Sequence, residues 1–486
     1  MSAAEDVTSS FAARLAAAIE LREDGEPEAS AKMFEALFAD GGGDAEAALE
    51  YAKTLRKLNR AEAAERVLSD AINAYPSDFE VWRAWSELPR HAVNYEGTIA
   101  RGRLLREKFP PPDHPGAWQS LAVEFDCFYE MAEWDRLKDA LYAHWDQCTA
   151  HPEILPDAIA VLNKLFLTDE VARLAREAAP QAWRHLSPEA CDNLLKRSEI
   201  AALNLAAVER TGIKLMSIGQ NCLPYQFAGR WGFLAPHADA TVLTPFDLGG
   251  FMNDSSAEAI ATDFAAFEDR ANFDLANAWG GGKMFLHRPS GVGFFHERGS
   301  HWVTPDRSRF HTRLALLLTN WQLAKRARKK LFVFCYCGAG DLARLVRTAA
   351  EKLLGPDAHL LVIDVLQQAH DCPSGPAITY RHLPYPRDYD WTSIYQQCSA
   401  AGVEFELAVT EAIGWALVKL DPAARPCLPY LRAEPEAKHQ PEPEAAPAVP
   451  LAGVSREDLL ENIWSFGNAN GNILAGKFCF GPAGLI

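Results

Sequence analysis

At 486 residues the chain is longer than one hydrophobic core sustains, so it divides into at least two domains. Its 48% hydrophobic content supports folded cores, and a formal charge of -17 excludes sequence-independent nucleic-acid binding, which needs Lys and Arg to neutralise phosphates. Ten unevenly spaced cysteines exclude a disulfide framework, and without paired Cys-x2-Cys spacing no metal site is expected. The first apolar stretch, Phe11 to Glu20, is alanine-rich and follows acidic residues, unlike a secretory signal. No run of about twenty apolar residues offers a membrane span. The expectation is a soluble, cytoplasmic protein.

The first predicted elements are helices, with apolar residues at three- and four-residue spacing from the start to about residue 200. Residues Asp44 to Pro76 show the unit: a helix over Ala47 to Leu58, a turn at Asn59-Arg60, a helix over Ala61 to Ala74, then Tyr75-Pro76. Phe109-Pro110 repeats Tyr75-Pro76 after 34 residues, and Asp78 repeats Asp44 at the same interval. Upstream, Ala12 to Leu21 and Pro27 to Ala39 read as another hairpin. Downstream, Trp118 to Cys148 reads as a degenerate one, because His151-Pro152 follows Pro110 by 42 residues. The period resembles the tetratricopeptide repeat over roughly the first 150 residues. Residues 153 to 205 continue as helices without a repeat and are expected to cap the array, completing a domain over 1–205. The resemblance implies a groove that holds a protein or peptide partner. Trp82, Trp85, Trp118, Trp134 and Trp145 either line it or belong to the core.

At Ile213 the pattern changes. Ile213 to Ile218 predicts a short strand, and Leu331 to Cys337 a second one, followed by Gly338-Ala-Gly340, an amphipathic helix over Asp341 to Leu354 and an apolar strand over His359 to Asp364. Strand, helix, strand in this order implies parallel pairing and an α/β domain over 211–432. The basic cluster Lys325, Arg326, Arg328, Lys329 and Lys330 closes a predicted helix, where cations complement the dipole. Residues 433–450, rich in Pro, Glu and Ala, read as a semi-rigid linker, and 451–486 as a C-terminal docking tail. The fold class expected is thus multidomain: an N-terminal all-α tetratricopeptide-like solenoid followed by an α/β domain with a mainly parallel sheet.

The chemistry concentrates in Ser217-Ile-Gly-Gln-Asn-Cys222-Leu-Pro224. A strand ends, Gly219 permits a sharp turn, and Pro224 suits the first turn of a helix. Cys222 then lies at a helix N-terminus, where unpaired N–H groups stabilise a thiolate, and Gln220 or Asn221 can help bind the oxyanion formed when it attacks a carbonyl. Cys335, Cys337 and Cys479 sit in apolar strands, where thiols are inert. A cysteine nucleophile needs a base. Among 14 histidines, His296 follows the apolar Gly-bounded run Gly291-Val-Gly-Phe-Phe, and Asp247 is an acid among apolar neighbours in Thr244-Pro-Phe-Asp-Leu-Gly249, which either orients an imidazole or pins a loop.

Three blocks in order, Ser-Ile-Gly-x-Asn-Cys222, Pro245-Phe-Asp247 and Phe294-Phe-His296, resemble an uncharacterised bacterial family described as papain-like cysteine peptidases. The likeness covers about residues 213 to 365. It implies a thiol nucleophile at Cys222, a general base at His296 with His287 and His301 as rivals, Asp247 as orienter, and no cofactor. It also points loosely towards surface polysaccharide assembly. Hydrolysis and acyl transfer share the first half-reaction and stay open together.

Two other function classes fit the residues. Cys337-Gly-Ala-Gly340, a helix and then Asp364 resemble the glycine loop and ribose-binding acid of a methyltransferase using S-adenosylmethionine, with Gly338, Gly340 and Asp364 as cofactor contacts. Phe334 and Tyr336 depart from that pattern. The third class is a tetratricopeptide adaptor without turnover.

Overall fold

A computed structural model of the chain describes residues 3–41, 43–220, 222–235, 243–277, 282–338, 340–387 and 389–432. Asn221, the expected linker at 433–450, the docking tail at 451–486 and Cys479 lie outside the described residues. Two compact units emerge. One holds Met1–His144, Asp274–Leu286 and Phe294–His311; the other holds Trp145–Phe273, His287–Gly293 and the chain from Thr312 on.

The first unit opens with eight helices: α1 Ala3–Glu23, α2 Pro27–Ala39, α3 Ala45–Lys57, α4 Ala61–Ala74, α5 Phe79–His91, α6 Tyr95–Lys108, α7 Gln119–Glu130 and α8 Trp134–Ala143. They pack as sequential hairpins, α1 on α2, α3 on α4, α5 on α6 and α7 on α8, each against the next. Buried alanines and larger apolar side chains together build the core, with Phe34 stacked on Tyr51 at 5.4 Å among Leu37, Leu55, Leu68 and Leu88. Asp44 and Asp78 do the same work one repeat apart. Each caps its helix, accepting from the N–H of Ala47 at 2.8 Å and of Val81 at 3.0 Å.

The hairpin turns share a device. Gly25, Asn59, Val93 and Ala132 all adopt positive φ just past a helix end. The next residue's N–H reaches back to the carbonyl five positions earlier, as in Arg60 to Leu55 and Asn94 to Pro89, both 2.8 Å. This satisfies carbonyls that the helix end leaves open. Trp118 is buried, in keeping with a core role, whereas Trp85 is half-buried beneath Arg101, whose guanidinium stands 4.2 Å above its ring. Residues Asp274–Leu286 and Phe294–His311 join this unit although they come from the middle of the α/β region. Ser300 N donates to Val93 O at 3.3 Å and Trp302 Nε1 to Glu130 O at 2.9 Å.

The second unit begins with α9 Trp145–Ala150, α10 Leu155–Lys164, α11 Thr168–Glu177 and α12 Ala190–Thr211. α10 and α11 form a further hairpin whose turn residue, Phe166, has φ 58° and whose Leu167 N donates to Leu162 O at 3.0 Å. There follow β1 Ile213–Ser217, α13 Leu223–Arg230, α14 Pro245–Leu248, β2 Gly249–Gly250 and α15 Asn253–Thr262. The chain continues with β3 Phe273–Asn277, β4 Lys283–His287, β5 Val292–Arg298, α16 Ser308–Lys325, β6 Lys329–Tyr336 and α17 Leu342–Leu353. β7 Ala358–Asp364, β8 Ile378–His382, α18 Ile394–Gln397 and α19 Ala400–Leu420 complete it.

One sheet has the order β1-β6-β7-β8 and the other β2-β5-β4-β3. All three pairings in the first sheet are parallel, with Ser217 opposite Val333 and Tyr336 opposite Asp364. β7 is buried throughout and β6 from Leu331 on, as their apolar runs require of strands covered on both faces. α12, α13, α17 and α19 pack against its strands. At the end of α16, Lys330 Nζ donates to Lys325 O and to Ala327 O beyond it, both at 3.2 Å, whereas Lys325 and Lys329 pair with Asp263 and Asp421.

Replacing Asp78 with Ala removes the capping acceptor and should lower unfolding free energy by about 1 kcal/mol in urea titration. An unchanged midpoint would show that the cap carries no stability.

Candidate functional site

The turn after β1 is built from its glycine outward. Ile218 N extends the ladder to Val333 O at 2.9 Å. Gly219 then takes φ 115°, and a Cβ there would lie 2.1 Å from the Phe334 ring, so only glycine fits. Gln220 is buried and stitches the turn: its Oε1 accepts from Cys337 N at 2.7 Å, and its carbonyl accepts from Phe251 N at 3.1 Å. Cys222 follows as the N-cap of α13, with its carbonyl accepting from Gln226 N at 2.9 Å and Pro224 in the first turn. Its side chain is buried, with 9% of the residue exposed. Gly219→Ala should therefore cost roughly 2–4 kcal/mol in urea denaturation; a variant as stable as the parent would contradict this account of the turn.

α13 is held at its other end by a buried ion pair. Arg230 donates from Nε to Glu406 Oε2 at 3.0 Å and from Nη2 to Oε1 at 2.7 Å, with 2% and 1% of the two residues exposed. Trp231 Nε1 and the Tyr389 hydroxyl add bonds of 2.7 and 2.5 Å to the same carboxylate. Every lone pair of Glu406 thus has a donor, which is the condition for burying such a charge.

Asp247 lies on α14 and is buried. Its Oδ2 accepts from Thr244 N at 2.7 Å and Thr244 Oγ1 at 2.9 Å, and its Oδ1 from the hydroxyl of Ser217. These bonds tie the Thr244–Leu248 turn to the end of β1. Burial pushes the carboxyl up to about 6, against the opposing pull of the Ser217 and Thr244 bonds. Between its ordinary value of 3.8 and about 6 the folded chain holds a proton that the unfolded chain has lost. The contribution therefore weakens as pH rises through this window. Comparing urea midpoints of the parent and Asp247→Asn from pH 4 to 7 should show the parent losing ground with rising pH. A constant difference would contradict the assignment.

The histidines fall in different places. His296 sits on β5, half-buried, in the first compact unit, whereas Cys222 and Asp247 belong to the second. His287 is fully buried: Nδ1 is 2.6 Å from Ser290 Oγ, Nε2 is 3.1 Å from Ala266 O, and the ring stacks on Phe267 at 3.9 Å. Both its nitrogens are committed. His301 contacts Arg309 Nη1 through Nδ1 at 2.7 Å, and burial with that cation makes it harder to protonate.

The glycine loop after β6 has Gly338 at φ 95° and Gly340 at φ 85°, and Asn253 Nδ2 donates to Gly340 O at 3.2 Å. Asp364, at the end of β7, is fully buried. Its Oδ1 accepts from Leu366 N at 3.1 Å; its Oδ2 accepts from His370 N at 2.9 Å, His370 Nδ1 at 3.0 Å and the Tyr380 hydroxyl at 2.7 Å. A ribose diol would have to displace these donors. The Asp364–His370 pair escaped sequence reasoning because His370 lies in a loop with no periodicity. The available signal was a lone acid ending an apolar strand with a histidine shortly after it.

Among the described residues no helix is long and apolar enough to cross a membrane. No curated protein and no solved structure matches the chain. The tetratricopeptide repeat family matches residues 21–88, the stretch from the end of α1 through most of α5. The N-terminal region is therefore tetratricopeptide-like, a kind of module that serves protein interaction.

Proposed function

We propose that this chain joins a partner-recruiting helical array to a thiol-dependent hydrolase or acyltransferase. The observation that carries the reading is the place of Cys222: at the N-terminus of α13, just beyond the carboxyl end of a parallel strand, in a turn that Gly219 dictates. Open α/β sheets bind their ligands at that edge, and the first N–H groups of a helix favour a thiolate and the oxyanion it generates. Cys222 Sγ attacks the carbonyl of an amide, ester or thioester, and an imidazole takes the thiol proton and returns it to the leaving group. The resemblance assigns that imidazole to His296. Asp247 enters as a positioning residue that holds the end of β1 through Ser217. The array brings a protein or peptide, either the substrate or the carrier of one.

A second reading, an adaptor without turnover, draws on the burial of Cys222. Alkylation separates the two. Native full-length protein is treated with iodoacetamide at pH 6.5 and the rate at Cys222 read by peptide mass spectrometry. The thiol reading expects modification at least tenfold faster than in the urea-unfolded chain, and slowing in His296→Ala. A native rate equal to or below the unfolded one favours the adaptor.

A further inference from the structure

Two buried guanidinium groups each meet a carboxylate, Arg22 reaching Glu50 at 2.5 Å and Arg230 reaching Glu406 at 2.7 Å. Arg197, on α12 and 5% exposed, does not. Among the described residues its sole acceptor is the side-chain oxygen of Asn163 on α10, 2.6 Å from Nη2. The rest of its planar fork of N–H groups has no acceptor there. Asn163 Nδ2 in turn faces Gln397 Oε1 at 3.5 Å, and Gln397 Nε2 donates to Trp391 O at 2.8 Å. Asn193, one turn before Arg197, donates from Nδ2 to Cys398 O at 3.0 Å. So α10, α12 and the end of α18 meet around this guanidinium.

A guanidinium keeps its proton at any ordinary pH, so its charge has to be matched where it stands. Burial disfavours that charge, and the nearby Arg230 opposes it further. The neighbours that favour it have nothing to give. Glu406 is already held at both oxygens by Arg230, and burial pushes the Cys398 thiol up to about 12, against the pull of Arg197, so it is neutral at pH 7. Burial likewise raises the Tyr389 hydroxyl well above its ordinary value. Two guanidinium groups and one carboxylate leave a positive charge over. A buried charge in that state is costly, and a bound counter-ion relieves it.

We propose that Arg197 forms the base of an anion site that takes a small monocarboxylate, its unengaged N–H groups donating to the two carboxylate oxygens. One negative charge closes the balance, whereas a dianion such as phosphate would overshoot it. The planar fork matches two carboxylate oxygens in a way that a spherical halide cannot reproduce. With 5% of the residue exposed, the site is narrow but not sealed, and the ligand is compact. The site stands on its own residues and holds whatever Cys222 does.

The test uses the full chain and sodium acetate at pH 7. Calorimetric titration should show saturable binding of acetate in the millimolar range. The melting temperature should climb with acetate and then level off, as a ligand of the native state requires. Sodium chloride at the same ionic strength should give no such plateau. Arg197→Met exchanges an unmatched cation for an apolar chain; it should fold, bind acetate at least about tenfold more weakly and lose the plateau. Asn163→Asp puts a carboxylate at the contact Asn163 already makes. It should melt higher than the parent without acetate and stop responding to it, and it decides the matter alone if Arg197→Met does not fold. No saturable acetate response in the parent overturns the proposal and leaves water on the guanidinium. A chloride plateau equal to that of acetate overturns it as well, as does an acetate response that either variant retains.

Discussion

The buried pair of Arg230 and Glu406 is the constraint on which the α/β unit's geometry turns. Two opposite charges with 2% and 1% exposure survive only because guanidinium, indole and phenol together satisfy the carboxylate. Removing either partner would strand a charge in the interior, at a cost of roughly 3–5 kcal/mol. Arg230 is the last residue of α13, and Glu406 stands on α19, which packs on β6 and β7. The pair therefore fixes the far end of the short helix while Gly219 and Gln220 fix the near end. Between those two anchors Cys222 has little freedom.

Rigidity of this kind suits a reacting group. Asp247 contributes by joining a hydroxyl at the end of β1 to the α14 turn, a carboxylate committed to shape. Asp364 is engaged in the same manner at β7, by the N–H groups of Leu366 and His370, the His370 ring and the Tyr380 hydroxyl. Two buried acids are thus both satisfied by local donors.

Much of this architecture is legible in the sequence where local physics decides. Asp44 and Asp78 are visible as caps because their spacing repeats, and β6 and β7 as parallel strands because both faces must be apolar. The repeat becomes illegible where the turn device loses its usual residue. Asn59 and Gly25 suit positive φ, but Val93, Ala132 and Phe166 adopt it against their own preference, with hydrogen bonds overriding it, so no glycine marks the later hairpins. The union of 274–286 and 294–311 with the helical array is likewise hidden, since Val93 meets Gly299 and Ser300 only through tertiary contact. The glycine loop after β6 reads as a cofactor motif in one dimension; in three, Asp364 is occupied by its own loop. His370 could not be ranked above thirteen other histidines without knowing which of them meets a carboxylate.

On the function proposed above, a thiol at the carboxyl edge of the parallel sheet attacks carbonyl carbon. The most direct measurement is the 13C spectrum of the full chain mixed with a peptide aldehyde labelled at its carbonyl carbon. A thiol nucleophile at Cys222 should give a hemithioacetal resonance that Cys222→Ser abolishes. A spectrum showing only free and hydrated aldehyde, or an adduct that persists in Cys222→Ser, would contradict it.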